Sequence, residues 1–234
     1  MNDTLRILKL FWAEDRRNVA LPIVSALAMP LAVAYLATRL GPGGKSVDAL
    51  GLTIAFGGAA VQVGSAVLED RFSGRLGLLR TLPVRSRSYL AARLGLGLLE
   101  ALGFALVALL VLQLVGRAIL SPAALAWAVL SVAATGAGLC GIGAAIALRA
   151  PDADSGWTLV SVVLIGLALV SPVLYPESAV PAALRPILWL SPYTHAPPQL
   201  RAVLAGQAPP AFSLIGSAVL AVGFNLLAVR SLRW

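Results

Sequence analysis

Long apolar stretches alternate with short charged connections along this chain. Six stretches are long enough to matter, and they cover residues 19–38, 50–68, 91–116, 122–148, 157–174 and 212–229. A helix needs about 20 mostly apolar residues to cross a bilayer. Inside the hydrocarbon, backbone N–H and C=O groups must bond within the segment, so each crossing must be helical. The pattern therefore predicts an all-α, polytopic membrane protein with six transmembrane helices.

Composition and charge placement agree with this prediction. Hydrophobic residues make up 59% of the chain and charged residues 12%, compared with about 25% charged in soluble proteins. With the N-terminus in the cytosol, most of the 18 Lys and Arg fall on the cytosolic side, the exceptions being Arg39, Lys45, Arg117, Arg185 and Arg201. Basic residues are retained inside during insertion. We therefore expect both termini in the cytosol and no nucleic-acid partner.

Residues 1–17 are predicted to form an amphipathic helix on the membrane surface. Apolar residues share one side of this helix, namely Leu5, Leu8 and Trp12, with Ile7 and Phe11 on the adjoining stripe. The basic residues Arg6, Lys9 and Arg16 occupy the other side. This is the pattern of an interfacial helix. It serves either as an anchor for the first span or as a surface that touches a cytosolic partner.

The loop 69–90 is the longest cytosolic connection and the most charged part of the chain. Between Gly74 and Pro83, its apolar residues can form two turns of amphipathic helix, which Pro83 would end. A short cytosolic helix held between two spans is suited to receive a mechanical push. The alternative is a solvated basic loop that merely follows the charge rule.

Glu100 is an acid inside the third apolar stretch. The segment 88–116 has 29 residues, or about 43 Å of helix, so its first two turns should project into the cytosol. A carboxylate within a membrane span is a functional candidate by default. Here it has an equally simple structural role, paired with Arg93 or with an arginine of the loop 69–90.

The fourth stretch is rich in small residues, which allow helices to pack closely where lipid provides no hydrophobic drive for association. They include Ser131, Thr135, Gly136, Gly138, Gly141 and Gly143. Cys140, the only cysteine, lies in the same stretch and is predicted to be a packing residue.

The segment 171–207 departs from the repeating pattern. Prolines interrupt it at 172, 176, 181, 186 and 192, so one long helix is excluded. Its apolar residues nevertheless disfavour bulk water. The sequence therefore predicts a pair of short re-entrant helices that dip into the outer leaflet, with Tyr175, Trp189 and Tyr193 at headgroup level.

These features in this order resemble the membrane subunit of an ABC exporter of the ABC type-2 (ABC-2) permease family. The resemblance covers the whole chain as a single transmembrane domain, 1–234, and rests on the N-terminal helix, the six spans, the loop 69–84 and the proline-rich segment 171–193. In that family the loop after the second span is a coupling helix that docks on an ATPase. The matching positions here are Glu69, Arg71, Gly74, Arg75, Leu78, Leu79 and Pro83.

The resemblance implies export of a hydrophobic or amphipathic substrate, such as a drug, lipid, glycolipid or peptide, through a homodimer or heterodimer of permease subunits. ATP and Mg²⁺ would bind the partner ATPase, and this chain would hold no cofactor and catalyse nothing itself. Gly43-Gly44-Lys45-Ser46 resembles part of a phosphate-binding loop, but Arg39 stands where that motif needs glycine. On resemblance alone, the expected substrate contacts are Gln62, Ser65, Ser171 and Tyr175.

Three alternatives remain open from the sequence. The haem-export permease of cytochrome c maturation is similar in length and span count. An intramembrane enzyme would need a base beside a nucleophile, and the single histidine, His195, lies in the proline-rich segment. A membrane scaffold without transport activity is the third. Copurification of an ATPase stimulated by this chain would separate a transporter from the last two.

Overall fold

The computed structural model describes Ile7, Lys9 and Phe11 near the start of the chain and then the ranges 45–82, 85–114, 121–172, 180–183 and 185–232. Every regular element within these ranges is a helix, which confirms the all-α prediction. The helices are α1 (Lys45–Phe72), α2 (Arg75–Thr81), α3 (Ser86–Leu114), α4 (Pro122–Ala147), α5 (Ala153–Val170), α6 (Arg185–Leu188), α7 (Pro192–Leu204) and α8 (Ala211–Ser231).

Four of these helices, α3, α4, α5 and α8, are long and apolar enough to cross a membrane. They match the predicted third to sixth spans. The predicted second span, 50–68, lies within α1, and α1 begins at Lys45, which the sequence placed in an external loop. The predicted first span, 19–38, lies outside the described residues, so the count of six spans stays a prediction.

Helix α4 lies at the centre of the described bundle and contacts α1, α3, α5, α7 and α8. In the most apolar 18-residue stretch of α4, 67% is buried, compared with 17% in that of α5. Glycines explain the close contacts: Gly143 faces the Ala60 carbonyl of α1, and Gly141 lies against the backbone of Phe224 in α8. A side chain at either position would push a neighbouring helix away, as expected for helix packing in lipid.

The link between α4 and α5 is short because Asp152 starts a new helix at once. Its carboxylate accepts hydrogen bonds from the Ser155 backbone N–H and from the Ser155 hydroxyl, both at 2.8 Å. This is an N-cap. The bond from the Ser155 N–H, followed by the bond from the hydroxyl, holds the pKa of Asp152 below its usual value.

Helices α6 and α7 occupy the place where the sequence predicts two short helices. The start of α7 enters the bundle, because a side chain at Gly138 of α4 would meet Pro192, and one at Gly57 of α1 would meet the Tyr193 hydroxyl. Gly138 is nine residues before the end of α4, or about 14 Å along the helix axis. The segment therefore reaches well into the depth of the bundle.

Candidate coupling site

A buried carboxylate, Asp70, organises the end of α1 that leads into α2. It accepts hydrogen bonds from the Tyr89 hydroxyl at 2.8 Å, from Arg93 Nε at 2.7 Å, from Arg93 Nη2 at 2.8 Å and from Arg75 Nη1 at 3.2 Å. Asp70 is fully buried, and Arg93 is nearly so. We call Asp70, Arg75, Tyr89 and Arg93 the Asp70 cluster. It ties three helices together, because its members come from α1, α2 and α3.

The N-terminal segment closes this cluster from one side. The guanidinium of Arg93 lies 3.6 Å from the centre of the Phe11 ring. The same ring meets Tyr89 edge-on, with centroids 6.0 Å apart and planes at 82°. Cation–π contacts are stronger when desolvated. Ile7 and Phe11 are buried while Lys9 is exposed, which agrees with the predicted two-sided helix at these three positions.

A second arginine fastens the same end of α1 to α4. Arg71 Nη1 donates to the carbonyl of Ala150 at 2.6 Å and to that of Ala147 at 3.1 Å. The last carbonyls of a helix have no partner within it and carry partial negative charge, so a cation is favourable there. The start of the predicted coupling segment is thus bonded to both α3 and α4.

Helix α2 presents different residues to the bundle and to the surroundings. Gly74 precedes it with a φ of 82°, a left-handed conformation that favours glycine. Leu76 is buried and Leu79 half-buried, whereas Leu78 is 64% exposed. Leu82, just after the helix, is also exposed. An exposed leucine on an anchored helix is the arrangement that a docking contact needs.

The structure places the predicted coupling residues in unequal positions. Arg71 and Arg75 are bonded, Glu69 is exposed, and Pro83 lies outside the described residues. The sequence selected Glu69 and missed its neighbour Asp70. One pattern could have found it, because Val63, Val67 and Asp70 follow the helical repeat of a buried stripe.

Glu100 lies beside the predicted pathway residue Gln62 of α1. With the Gln62 amide nitrogen turned toward the acid, it donates to Glu100 Oε2 at 2.9 Å. Arg93, one expected partner of Glu100, has its guanidinium on Asp70 instead. The nearby Ser65 hydroxyl donates to the Val61 carbonyl of its own helix at 2.9 Å.

A neutral polar cluster fixes α7 against α4 and α8. Gln199 Nε2 donates to the Ser213 carbonyl and to the Ser217 hydroxyl, both at 2.8 Å. The Ser217 hydroxyl in turn lies 3.2 Å from that of Thr135. We call Thr135, Gln199, Ser213 and Ser217 the Gln199 cluster. All four are buried, and the sequence analysis had assigned no role to Gln199.

The predicted pathway residue Ser171 joins the end of α5 to the start of α7. Its hydroxyl donates to the Leu167 carbonyl at 2.6 Å and lies 3.0 Å from the Ser191 hydroxyl, while Thr194 donates to it at 3.3 Å. It is fully buried. The other residue predicted in this region, Tyr175, lies outside the described residues.

His195 is buried within α7. Its Nε2 lies 2.9 Å from the Trp189 carbonyl, and its ring packs near Gly216 and Phe212 of α8. Among the described residues, no group of three or more His, Cys, Asp or Glu could hold a metal ion. At the α2 end of the bundle, the hydrogen bonds and ion pairs of Arg71 and of the Asp70 cluster connect α2 and the end of α1 with α3 and α4. A movement of α2 would therefore reach the long helices.

Comparison with known protein families identifies the family of this chain. The family model described as ABC-2 type transporter matches residues 4–205. This range includes α1 to α7 and nearly all of the polar contacts described above. A comparison with the curated proteins finds no match to this chain.

Proposed function

This chain belongs to the ABC-2 type transporter family, and we propose that it is the membrane permease of an ATP-driven exporter whose ATPase docks on α2. Two copies, or this chain and a related one, would form the pathway in a bacterial cytoplasmic membrane, with both termini in the cytosol. The substrate would be hydrophobic or amphipathic. ATP and Mg²⁺ would bind the partner, and this chain would hold no cofactor.

One observation carries the proposal: α2 exposes Leu78 while its base is tied to α1, α3 and α4. The arginines that fasten it are Arg75, Arg93 and Arg71. A push on α2 would therefore reach the long helices through hydrogen bonds and ion pairs rather than through a loose loop. The apolar side chain of Leu78 is exposed to solvent in the chain by itself, and a cleft of the ATPase would bury it.

Replacing Leu78 with Asp tests the docking. Burying an unpaired carboxylate in an interface costs on the order of several kcal/mol, so the ATPase should no longer copurify and transport should stop. Membrane insertion and the melting temperature of the permease should be unchanged, because Leu78 is exposed. The measurement is the amount of ATPase retained on the tagged, purified chain.

Gln207→Asp is the matched control, since Gln207 is also exposed but follows α7 at the opposite end of the bundle. Full ATPase retention by Leu78→Asp would contradict docking on α2. Leu79→Asp is a less clean test, because Leu79 also packs against the buried residues around Asp70.

The direction of the chain in the membrane needs a separate test. We propose that the segment 171–207 faces outward, on the charge distribution alone. A cysteine at the exposed position Ala183 should react with an impermeant thiol reagent in intact cells. The native Cys140 is buried and gives the unreactive background. Labelling of Ala183→Cys only after membrane disruption would reverse the topology.

A further inference from the structure

A cavity of about 530 Å³ opens where α2, the end of α4 and the end of α8 meet. Four arginines line it, namely Arg71, Arg80, Arg149 and Arg230. No acidic side chain is among the described residues of its lining. Four cations around one space create a strongly positive potential, which attracts anions.

Two of these arginines are available to a ligand. Arg71 is already bonded to the carbonyls at the end of α4. The side chains of Arg149 and Arg230 are exposed, and neither guanidinium has a hydrogen bond or an ion pair with another residue that the structure describes. They come from the ends of two different long helices, so an anion between them would bridge α4 and α8.

A second cavity, of about 570 Å³, begins at the same arginine. Arg149 lines both spaces. The remainder of the second one is a mostly apolar groove between α4, α5 and α8, with walls that include Ile146, Leu159, Val163 and Phe224. Leu190 and Ser191, just before α7, also line it. Along α5 it extends from Leu159 to Leu167, or about 12 Å of helix. Both volumes lie in the range of about 300–1,000 Å³ typical of ligand sites.

We propose that the two cavities together bind an anionic glycerophospholipid, with its phosphate at Arg149 and Arg230 and an acyl chain along the groove. Basic pockets at the ends of membrane helices bind lipid headgroups. An acidic segment of a protein partner would satisfy the arginines but not the groove, whose walls belong mostly to the long apolar helices α4, α5 and α8. The shared position of Arg149 therefore favours a lipid.

The experiment uses the full chain in nanodiscs of phosphatidylcholine doped with phosphatidylglycerol that carries a photoactivatable acyl chain. Crosslinks are mapped by mass spectrometry and should fall on the groove walls in α5 and α8. A basic residue near anionic lipid contributes about 1 kcal/mol, which corresponds to about a fivefold change in affinity and, with the lipid well below saturation, in occupancy. Arg149→Gln and Arg230→Gln should each lower the crosslink yield about fivefold.

Arg87→Gln is the matched control, because Arg87 is exposed at the same end of the bundle but lines neither cavity. Arg149→Lys keeps the charge and should keep most of the yield, even if Arg149→Gln fails to fold. Leu159→Trp should lower the yield with both arginines intact, since it fills the groove at a side chain that is 45% exposed.

Two further arms separate the sources of the anion. A photoactivatable phosphatidylcholine of the same chain length should label the groove less, and an excess of inorganic phosphate should not displace the phosphatidylglycerol. The proposal would be overturned if the two lipids labelled the groove equally and inorganic phosphate protected Arg149 from an arginine-modifying reagent. That result would mean that the arginines bind a free anion. The double variant Arg149→Gln, Arg230→Gln gives a further test. Normal labelling of this variant by phosphatidylglycerol would also overturn the proposal. Loss of bound ATPase in the same variant would instead assign the two arginines to a protein contact. The lipid-labelling readouts require neither transport nor a bound ATPase, so they are independent of the proposed function.

Discussion

The Asp70 cluster and the Gln199 cluster are both buried polar groups in an apolar chain, yet only the first contains charges. In the Asp70 cluster, one carboxylate accepts four hydrogen bonds, three of them from guanidinium groups. In the Gln199 cluster, an amide and two hydroxyls connect α4, α7 and α8, and the side-chain oxygen Oε1 of Gln199 has no partner among the described residues. The first cluster lies at the α2 end of the bundle, and the second fixes α7.

The difference matters because the two kinds of cluster respond differently to damage. Removing one member of a buried ion pair leaves a desolvated charge without a partner, which is strongly unfavourable. Removing one neutral hydrogen bond between membrane helices costs little on average. The α2 end therefore has essentially one allowed arrangement, whereas α7 can shift its polar contacts at low cost. A rigid α2 end and a more adaptable α7 are what the proposed docking of an ATPase on α2 would require.

The largest effect is expected for Asp70→Asn. The buried guanidinium of Arg93 would lose its countercharge, so the free energy of unfolding should fall by about 3–5 kcal/mol. Glu69→Gln is the control, because it makes the same change at the exposed neighbouring position and should stay within about 0.5 kcal/mol. The measurement is unfolding of the full chain in detergent micelles.

A double variant sharpens this prediction. Asp70→Leu combined with Arg93→Met removes both charges, and replacing a buried pair with apolar residues is often close to neutral. The double variant should therefore be more stable than Arg93→Met alone. If the two single losses simply added, the charges would not be coupled as the structure has them.

A smaller effect is expected for Gln199→Leu. The two hydrogen bonds from Gln199 would be lost, at an average of about 0.6 kcal/mol each for contacts between membrane helices. The change also removes the unpartnered side-chain oxygen Oε1, so the total loss should stay near 1 kcal/mol. Gln207→Leu, an exposed glutamine beyond α7, should have no effect in the same unfolding assay. A loss as large as that of Asp70→Asn would break the comparison between the clusters.

The sequence predicted the described helices well because hydropathy is a local property. The predicted fourth and sixth stretches, 122–148 and 212–229, end within two residues of α4 and α8. Helix α2 occupies the stretch for which two helical turns were predicted. The small residues of α4 also pack as expected, as the contact between Gly143 and Ala60 shows.

The partners of Asp70 could not be predicted in the same way. Tyr89 and Arg93 are 19 and 23 residues away, and only the packing of α1 on α3 brings them together. The burial of Asp70 itself, by contrast, was predictable from the helical repeat that it shares with Val63 and Val67. Helix α7 shows the opposite difficulty, because it continues through Pro197 and Pro198, where proline rules alone would have ended it.

The exposed carboxylate of Asp152 is expected to have the smallest effect on unfolding in this comparison. Asp152 caps α5 through Ser155, but these bonds stay within one helix and tie no second helix to the bundle. Its loss should therefore affect global unfolding less than the changes at Asp70 and Gln199. Asp152→Ala should speed amide hydrogen exchange in the first turn of α5 and leave the unfolding of the bundle unchanged. Asp154→Asn is the control, because Asp154 lies in the same turn without being the cap.

The cap should also depend on pH in a defined direction. Hydrogen bonds from Ser155 lower the pKa of Asp152 in the folded chain, relative to about 3.9 when unfolded. The stabilisation is then complete above the unfolded pKa and is lost as the pH falls through the lower, folded pKa. Exchange in the first turn of α5, corrected for its intrinsic pH dependence, should rise over that acidic window in the wild type and stay flat in Asp152→Ala. Equal rises in both would show that another group, and not this exposed carboxylate, controls the turn.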